Sequence, residues 1–222
     1  MGIQQALFAQ SQAAGGWTVV DFHRYAADGS TFTLNNLQQN DIIYVQLGAD
    51  SIYTVPGTVN DSNFTTLSRG ATNNISYMSS FSVYSSASST LSFTISGSPG
   101  SGSPPDYGIA VAIRSPNQTG SYGTLPTVQA FAGSGTPTYN NTPVSLSADS
   151  FQLLIAMVDD DDASPMAGPT GTTLIAEDVN SSHGSIGFAY QIISTAGNYS
   201  WGSWTTTGSD HWLAAIRDIR EV

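Results

Sequence analysis

Asp41-Ile-Ile-Tyr-Val-Gln-Leu-Gly-Ala-Asp50 is echoed by Asp149-Ser-Phe-Gln-Leu-Leu-Ile-Ala-Met-Val-Asp159, and these two stretches decide the fold. Each is a short apolar run between aspartates, and the first is entered through the turn-like Gln39-Asn40-Asp41. Runs of this length, rich in β-branched and aromatic residues and bounded by turn formers, read as strands. The segments C-terminal to the two runs also recur. A Pro/Gly turn (Pro56-Gly57, then Pro165 to Gly171) leads to Phe64-Thr-Thr-Leu67 in one half and Gly171-Thr-Thr-Leu174 in the other. A tyrosine-bearing strand comes next, within Ile75 to Tyr84 and within Ile186 to Ile193. Ala110-Val-Ala-Ile-Arg114 and Leu213-Ala-Ala-Ile-Arg217 close the halves. Elements repeating in one order indicate an internal duplication, with pseudo-repeats at about 41–114 and 149–217.

Outward from these runs the texture stays strand and turn. Trp17 to Phe22 and Thr90 to Ile95 read as strands, the second alternating as a half-buried strand does. Asn74 to Tyr84 reads as a strand with a bulge at Met78-Ser79-Ser80, and Tyr107 to Ile113 is apolar enough to be central. Each half alone would leave open edges. The expected fold is therefore all-β: one jelly-roll-like antiparallel β-sandwich over 17–222, with the strand pattern duplicated inside it. Residues 1–16 read as a short N-terminal helix or arm ended by Gly15-Gly16, with Ile3, Leu7 and Phe8 as its anchoring side chains.

Composition narrows the function. Charged residues make up only 9% of the chain, lysine is absent, and the net charge is −11. Five arginines cannot form the basic stripe that a phosphate backbone or an anionic membrane requires, so neither is an expected partner. With no cysteine, disulfides and thiolate metal sites are excluded. The opening residues lack the basic region and long apolar run of a signal peptide.

Few constellations suggest chemistry. Asp159, Asp160, Asp161 and Asp162 form a candidate Ca²⁺ site, since hard cations take six to eight oxygens. Adjacent aspartates diverge, however, and the spacing of an EF-hand loop is missing, so a solvated loop is the plainer reading. His23, His183 and His211 have no metal-ligand spacing. No Gly-x-Ser-x-Gly elbow is present, and Gly100-Ser-Gly-Ser-Pro-Pro105 lacks the lysine and helix start of a phosphate cradle. With only Glu177 and Glu221 beside the aspartates, the chain is not expected to be an enzyme. Tyr199, Trp201 and Trp204 form the candidate ligand site, as rings offered to a surface glycan. The competing reading is core packing, and the opposite parities of Trp201 and Trp204 suggest one ring in and one out.

The stretches Gly187-Phe-Ala-Tyr-Gln-Ile-Ile193, Trp201 to Thr207 and Ser209-Asp-His-Trp-Leu-Ala-Ala-Ile216 resemble a β-sandwich family common among structural proteins of tailed bacteriophages. The run Asp149 to Asp162, then Pro165, Gly171 and Thr172-Thr-Leu174, fits the same pattern. The opening Gly2-Ile-Gln-Gln-Ala-Leu7 is similar to those of small head or tail accessory proteins. The resemblance covers the last third of the chain and reaches the first half only through the repeat. It departs at Gln191, where the family has lysine. It implies a non-enzymatic virion component, made in the host cytoplasm: a tail-fibre or baseplate accessory with host-surface binding, or a capsid decoration protein. A free carbohydrate-binding module is the reading outside that class. The implied partners are other phage structural proteins, further copies of the chain in a homo-oligomer such as a trimer, and a host-surface glycan.

Overall fold

The computed structural model describes residues 16–50, 57–72, 74–95, 105–123, 125, 127–139, 141–159, 166–180, 182–206 and 211–222. The anchoring segment with Ile3, Leu7 and Phe8 lies outside them, as do Asp160, Asp161 and Asp162. The first half of the chain forms β1 (Thr18–Arg24), the single-turn α1 (Tyr25–Asp28), β2 (Thr31–Leu34), β3 (Ile42–Asp50), β4 (Thr65–Thr72), β5 (Ile75–Val83), β6 (Leu91–Thr94) and β7 (Tyr107–Arg114). The second forms β8 (Thr127–Gly133), β9 (Val144–Leu146), β10 (Ser150–Asp159), β11 (Thr173–Asn180), β12 (Gly184–Ile193), β13 (Gly197–Tyr199) and β14 (His211–Ile219). The all-β expectation holds, and all pairings between these strands are antiparallel.

Each half builds its own five-stranded sheet, ordered β1-β7-β3-β5-β4 and β8-β14-β10-β12-β11. Each also builds a two-stranded sheet, β2-β6 and β9-β13. Adding seven to each strand number of the first unit gives the second. The five-stranded sheets pack face to face around a central core that includes Ile42, Tyr44, Val111, Leu153, Ile155 and Phe188. The two-stranded sheets cover their outer faces. Phe32, Leu34 and Phe93 lie over Ile43, Val45 and Ala110 on one side. Leu146, with Trp201 and Trp204, lies over Leu154, Ala156 and Ala214 on the other. The order of layers is thus two strands, five, five and two.

This layering explains the two apolar runs. An antiparallel sheet commonly alternates because one face meets water. Here β3, β7 and β10 are buried on both faces, so nearly every residue is apolar. Burial on the central face alone would leave Ile43, Val45, Leu154 and Ala156 unexplained, since these four point to the outer cores.

Register corrects the repeat in detail. Asp50 pairs with Ile75, and the matching position on β10 is Asp159, which aligns Asn40 with Asp149 rather than Asp41 with Asp149. Asn40 (φ 74°) and Asp149 (φ 58°) both take the left-handed conformation just before their central strands, which Asn and Asp tolerate best among non-glycine residues. The two Ile-Arg elements do not correspond. Ile113 faces the central core, whereas Ile216 faces the outer one. The bulge expected in β5 is absent, because β5 pairs with β3 without a shift; the extra residue lies in neighbouring β4, between Thr66 and Ser68. A matching shift falls between Leu174 and Ala176 in β11. Edge strands β1 and β8 carry one extra residue as well. All four outer edges of the sandwich are therefore kinked, which disfavours adding a further strand.

Candidate functional site

The aromatic segment after β13 lies inside the protein. Trp201 is 2% exposed and Trp204 1%, both in the outer core of the second unit. Trp201 donates its indole N–H to Gln191 Oε1 at 2.8 Å, and Trp204 donates to the Tyr139 hydroxyl at 3.1 Å. That hydroxyl donates in turn to the Ile155 carbonyl at 2.9 Å. Burial pushes the Tyr139 phenol well up from its ordinary value. Gly187 makes room, since a Cβ there would lie 2.7 Å from Cζ3 of Trp204. Tyr199 is half-buried and donates to the Thr195 carbonyl. A ring platform for a glycan needs exposed faces, so the surface-platform reading of Trp201 and Trp204 is corrected. Parity misled because the segment is not a continuous strand. It is held by isolated bridges, Ser203 with Thr138 and Thr205 with Ala167. Gln191, the departure from the phage pattern, is the acceptor for Trp201.

The acidic end of β10 is brought against β14. The Asp159 carboxylate lies 3.7 Å from Nδ1 of His211, whose ring also meets the Asn74 amide at 3.3 Å. At the same end of the sheets, His183 lies 4.0 Å from Asp50, and the Asp50 backbone N–H donates to Asp106 at 2.9 Å. Burial raises the Asp106 carboxyl, partly offset by that hydrogen bond. Tyr107 is buried beside these groups, and burial, reinforced by Asp159, Asp106 and Asp50, pushes its phenol well up. Among the described residues no set of three or more His, Cys, Asp or Glu side chains is arranged to hold a metal. His23 is separate: its Nε2 meets the Gly29 carbonyl at 3.1 Å, and its ring packs near Phe32.

The polar residues with the most contacts were not singled out by the sequence. Asp178 on β11 is fully buried and accepts N–H bonds from Ala26 (2.8 Å), Ala27 (3.0 Å) and Gly108 (2.9 Å). It therefore ties the second unit to α1 and β7 of the first. Burial raises its carboxyl, and the three N–H groups pull against that rise. Asp41 accepts two bonds from Arg114, at 2.9 and 2.8 Å, and one from the Gln38 backbone. Glu221 accepts from Ser115, Asn117 and Thr119, pinning the connector between the units to the end of the chain. Burial works to raise its carboxyl, but these bonds outweigh it and leave it lowered.

Arg217 is 6% exposed and lies between the two five-stranded sheets. Its Nε donates to the Tyr44 hydroxyl at 3.1 Å, and its Nη2 to Ser68 and Ser79 at 2.9 and 3.0 Å. Its Nη1 donates to Thr127. No acidic side chain among the described residues forms an ion pair with it. Nothing in the sequence marked Arg217 beyond the Ile-Arg repeat, which paired it with the wrong residue.

Comparison of the chain with protein-family models, curated proteins and solved structures finds no match.

Proposed function

We propose that this chain is a non-enzymatic structural component of a phage virion, a tail-fibre or baseplate accessory that works as a rigid, repeated building block. The observation that carries the reading is the use made of three acidic side chains, two of them buried. Asp41, Asp178 and Glu221 each hold loops or strands together through several hydrogen bonds, which suits a scaffold. The kinked edges and doubly covered sheets fit a part that must persist outside a cell without sticking to its neighbours. Val222 is the only large hydrophobic side chain exposed among the described residues, so attachment falls to polar loops or to the segment with Ile3, Leu7 and Phe8. Host-surface recognition, where it occurs, uses those loops and not the tryptophans. Partners in this reading are other structural proteins and further copies of the chain. We also infer that the two units descend from a tandem duplication. Their common strand order supports this, as do Asn40 and Asp149 before the central strands and the matched shifts in β4 and β11. The strand order favours this reading over a jelly roll, which would deal successive strands to opposite sheets.

The test is immunogold labelling of particles from a producing culture, with antiserum raised against the purified chain. Gold confined to tails is the expected result. Gold spread over heads would replace the tail reading with capsid decoration, and unlabelled particles would sink both.

A further inference from the structure

The two units meet with pseudo-twofold character, like the halves of an isologous dimer, although β11 packs more closely on β7 and β1 than its counterpart β4 does on β14 and β8. β7 packs on β12 as β14 packs on β5, and β3 meets β12 as β10 meets β5. Register identifies the mates residue by residue. Arg217 lies between Leu153 and Thr127 in its sheet, and Val111 lies between Tyr44 and Phe22 in the other. By the same pairing Tyr44 matches Leu153, Ser79 matches Phe188 and Ser68 matches Ala176. On one flank, then, Arg217 and Thr127 of the second unit meet Tyr44, Ser68 and Ser79 of the first. On the other flank the corresponding residues are Val111, Phe22, Leu153, Ala176 and Phe188, all belonging to or packed on the central core.

The apolar flank closes the same geometry without a charge, so the fold does not require one. A buried guanidinium without an anion is costly unless its N–H groups find acceptors. Apart from Thr127 of its own unit, those acceptors (Tyr44, Ser68 and Ser79) lie on the first unit. Were two second units to pair, each Arg217 would face Ala176, Phe188 and Leu153, which offer no side-chain acceptor. Were two first units to pair, Ser68, Ser79 and Tyr44 would face Val111 and Phe22. Only unlike units satisfy both flanks.

We propose that Arg217, with Tyr44, Ser68, Ser79 and Thr127, is the recognition element that makes the first unit the only partner of the second. It disfavours the pairing of like units from two copies of the chain. The need is physical: the two faces are close to symmetric, and like pairs formed between two copies would bury a similar surface. Like pairing of both units would join two copies into an intertwined dimer. Discrimination by leaving a buried polar group unpaired in the wrong complex is an effective form of specificity.

The test uses the full chain. A variant carrying Arg217→Val, Tyr44→Leu, Ser68→Ala and Ser79→Phe copies four of the five positions of the apolar flank onto the polar one and keeps Thr127. It and the wild type are unfolded in denaturant, refolded at low and high concentration, and weighed by light scattering after size exclusion. The wild type returns to its native mass at both concentrations. The variant, refolded at high concentration, yields a species of twice that mass. A variant that keeps the wild-type mass throughout, or a wild type that doubles as readily as the variant, overturns the proposal. If the fourfold variant lacks a cooperative unfolding transition, Arg217→Met with Ser68→Ala is read in the same assay by the same criteria.

Discussion

The two flanks of the central interface bury opposite charges and solve the problem in opposite ways. Where β1 meets β11, the Asp178 carboxylate is surrounded by backbone N–H groups of Ala26, Ala27 and Gly108. Where β14 meets β4 and β5, the Arg217 guanidinium is surrounded by side-chain hydroxyls. Neither has an ion-pair partner among the described residues. The difference lies in what remains when the charge is removed. Backbone N–H groups point where the chain fixes them and cannot turn to another acceptor. Hydroxyls rotate, and here they have alternatives: Ser68 and Ser79 already lie 2.6 Å apart, and Tyr44 donates to Gln46 at 3.0 Å. The acid flank is therefore brittle and the arginine flank forgiving. A fold needs the first to stand, while the second is free to encode a choice of partner.

The largest effect should come from Asp178→Ala, which strands three buried N–H groups and releases α1 from β11. A loss of about 3–5 kcal/mol is expected in urea unfolding, the range for breaking a buried charged network. Arg217→Met keeps most of the buried stem and lets the hydroxyls pair with one another. Its loss should be smaller, about 1–3 kcal/mol. If Arg217→Met proves the more damaging of the two, the contrast between the flanks is broken.

A subtler effect sharpens it through pH. The Asp178 carboxyl is raised above its ordinary value, chiefly by burial. Just above the ordinary carboxylate range, the folded protein therefore holds a proton that the unfolded chain has released. Protons bound in excess by the folded state make stability fall as pH rises. Asp178 thus contributes a stability that is present at low pH and lost as pH rises through its folded pKa; Asp106, raised by burial, acts in the same direction. Asp28 and Glu221, whose lowered carboxyls reflect hydrogen bonds that overcome burial, act oppositely and lose their contribution as pH falls. Urea midpoints measured across the mildly acidic range should fall less steeply with rising pH in Asp178→Asn than in the wild type. Equal slopes would remove Asp178 from this account.

Much of the fold was legible and little of the interface was. The apolar runs Ile42 to Leu47 and Phe151 to Val158 read as strands and Tyr107 to Ile113 as a central one, because burial on both faces leaves a continuous apolar signature. The recurrence of elements pointed to two like units. Their relative arrangement was not readable, since the same strands can be dealt to shared or separate sheets without changing local pattern. Trp201 and Trp204 were ambiguous for a different reason: a buried indole and a sugar platform use the same residues, and only burial decides. Asp178 resembled a solvent-facing acid in Ala176-Glu-Asp-Val179, and nothing local reveals that Ala26, Ala27 and Gly108 converge on it. Arg217 was visible only as part of an Ile-Arg echo whose two copies face different cores.

Each half of the chain builds its own five-stranded sheet, and the two sheets meet face to face. Cross-strand backbone NOEs in isotope-labelled protein test this arrangement directly. Val111 should show ladder contacts to Tyr44 and Phe22, and Arg217 to Leu153 and Thr127. A backbone ladder joining any strand of residues 18–114 to one of residues 127–219 would contradict the account.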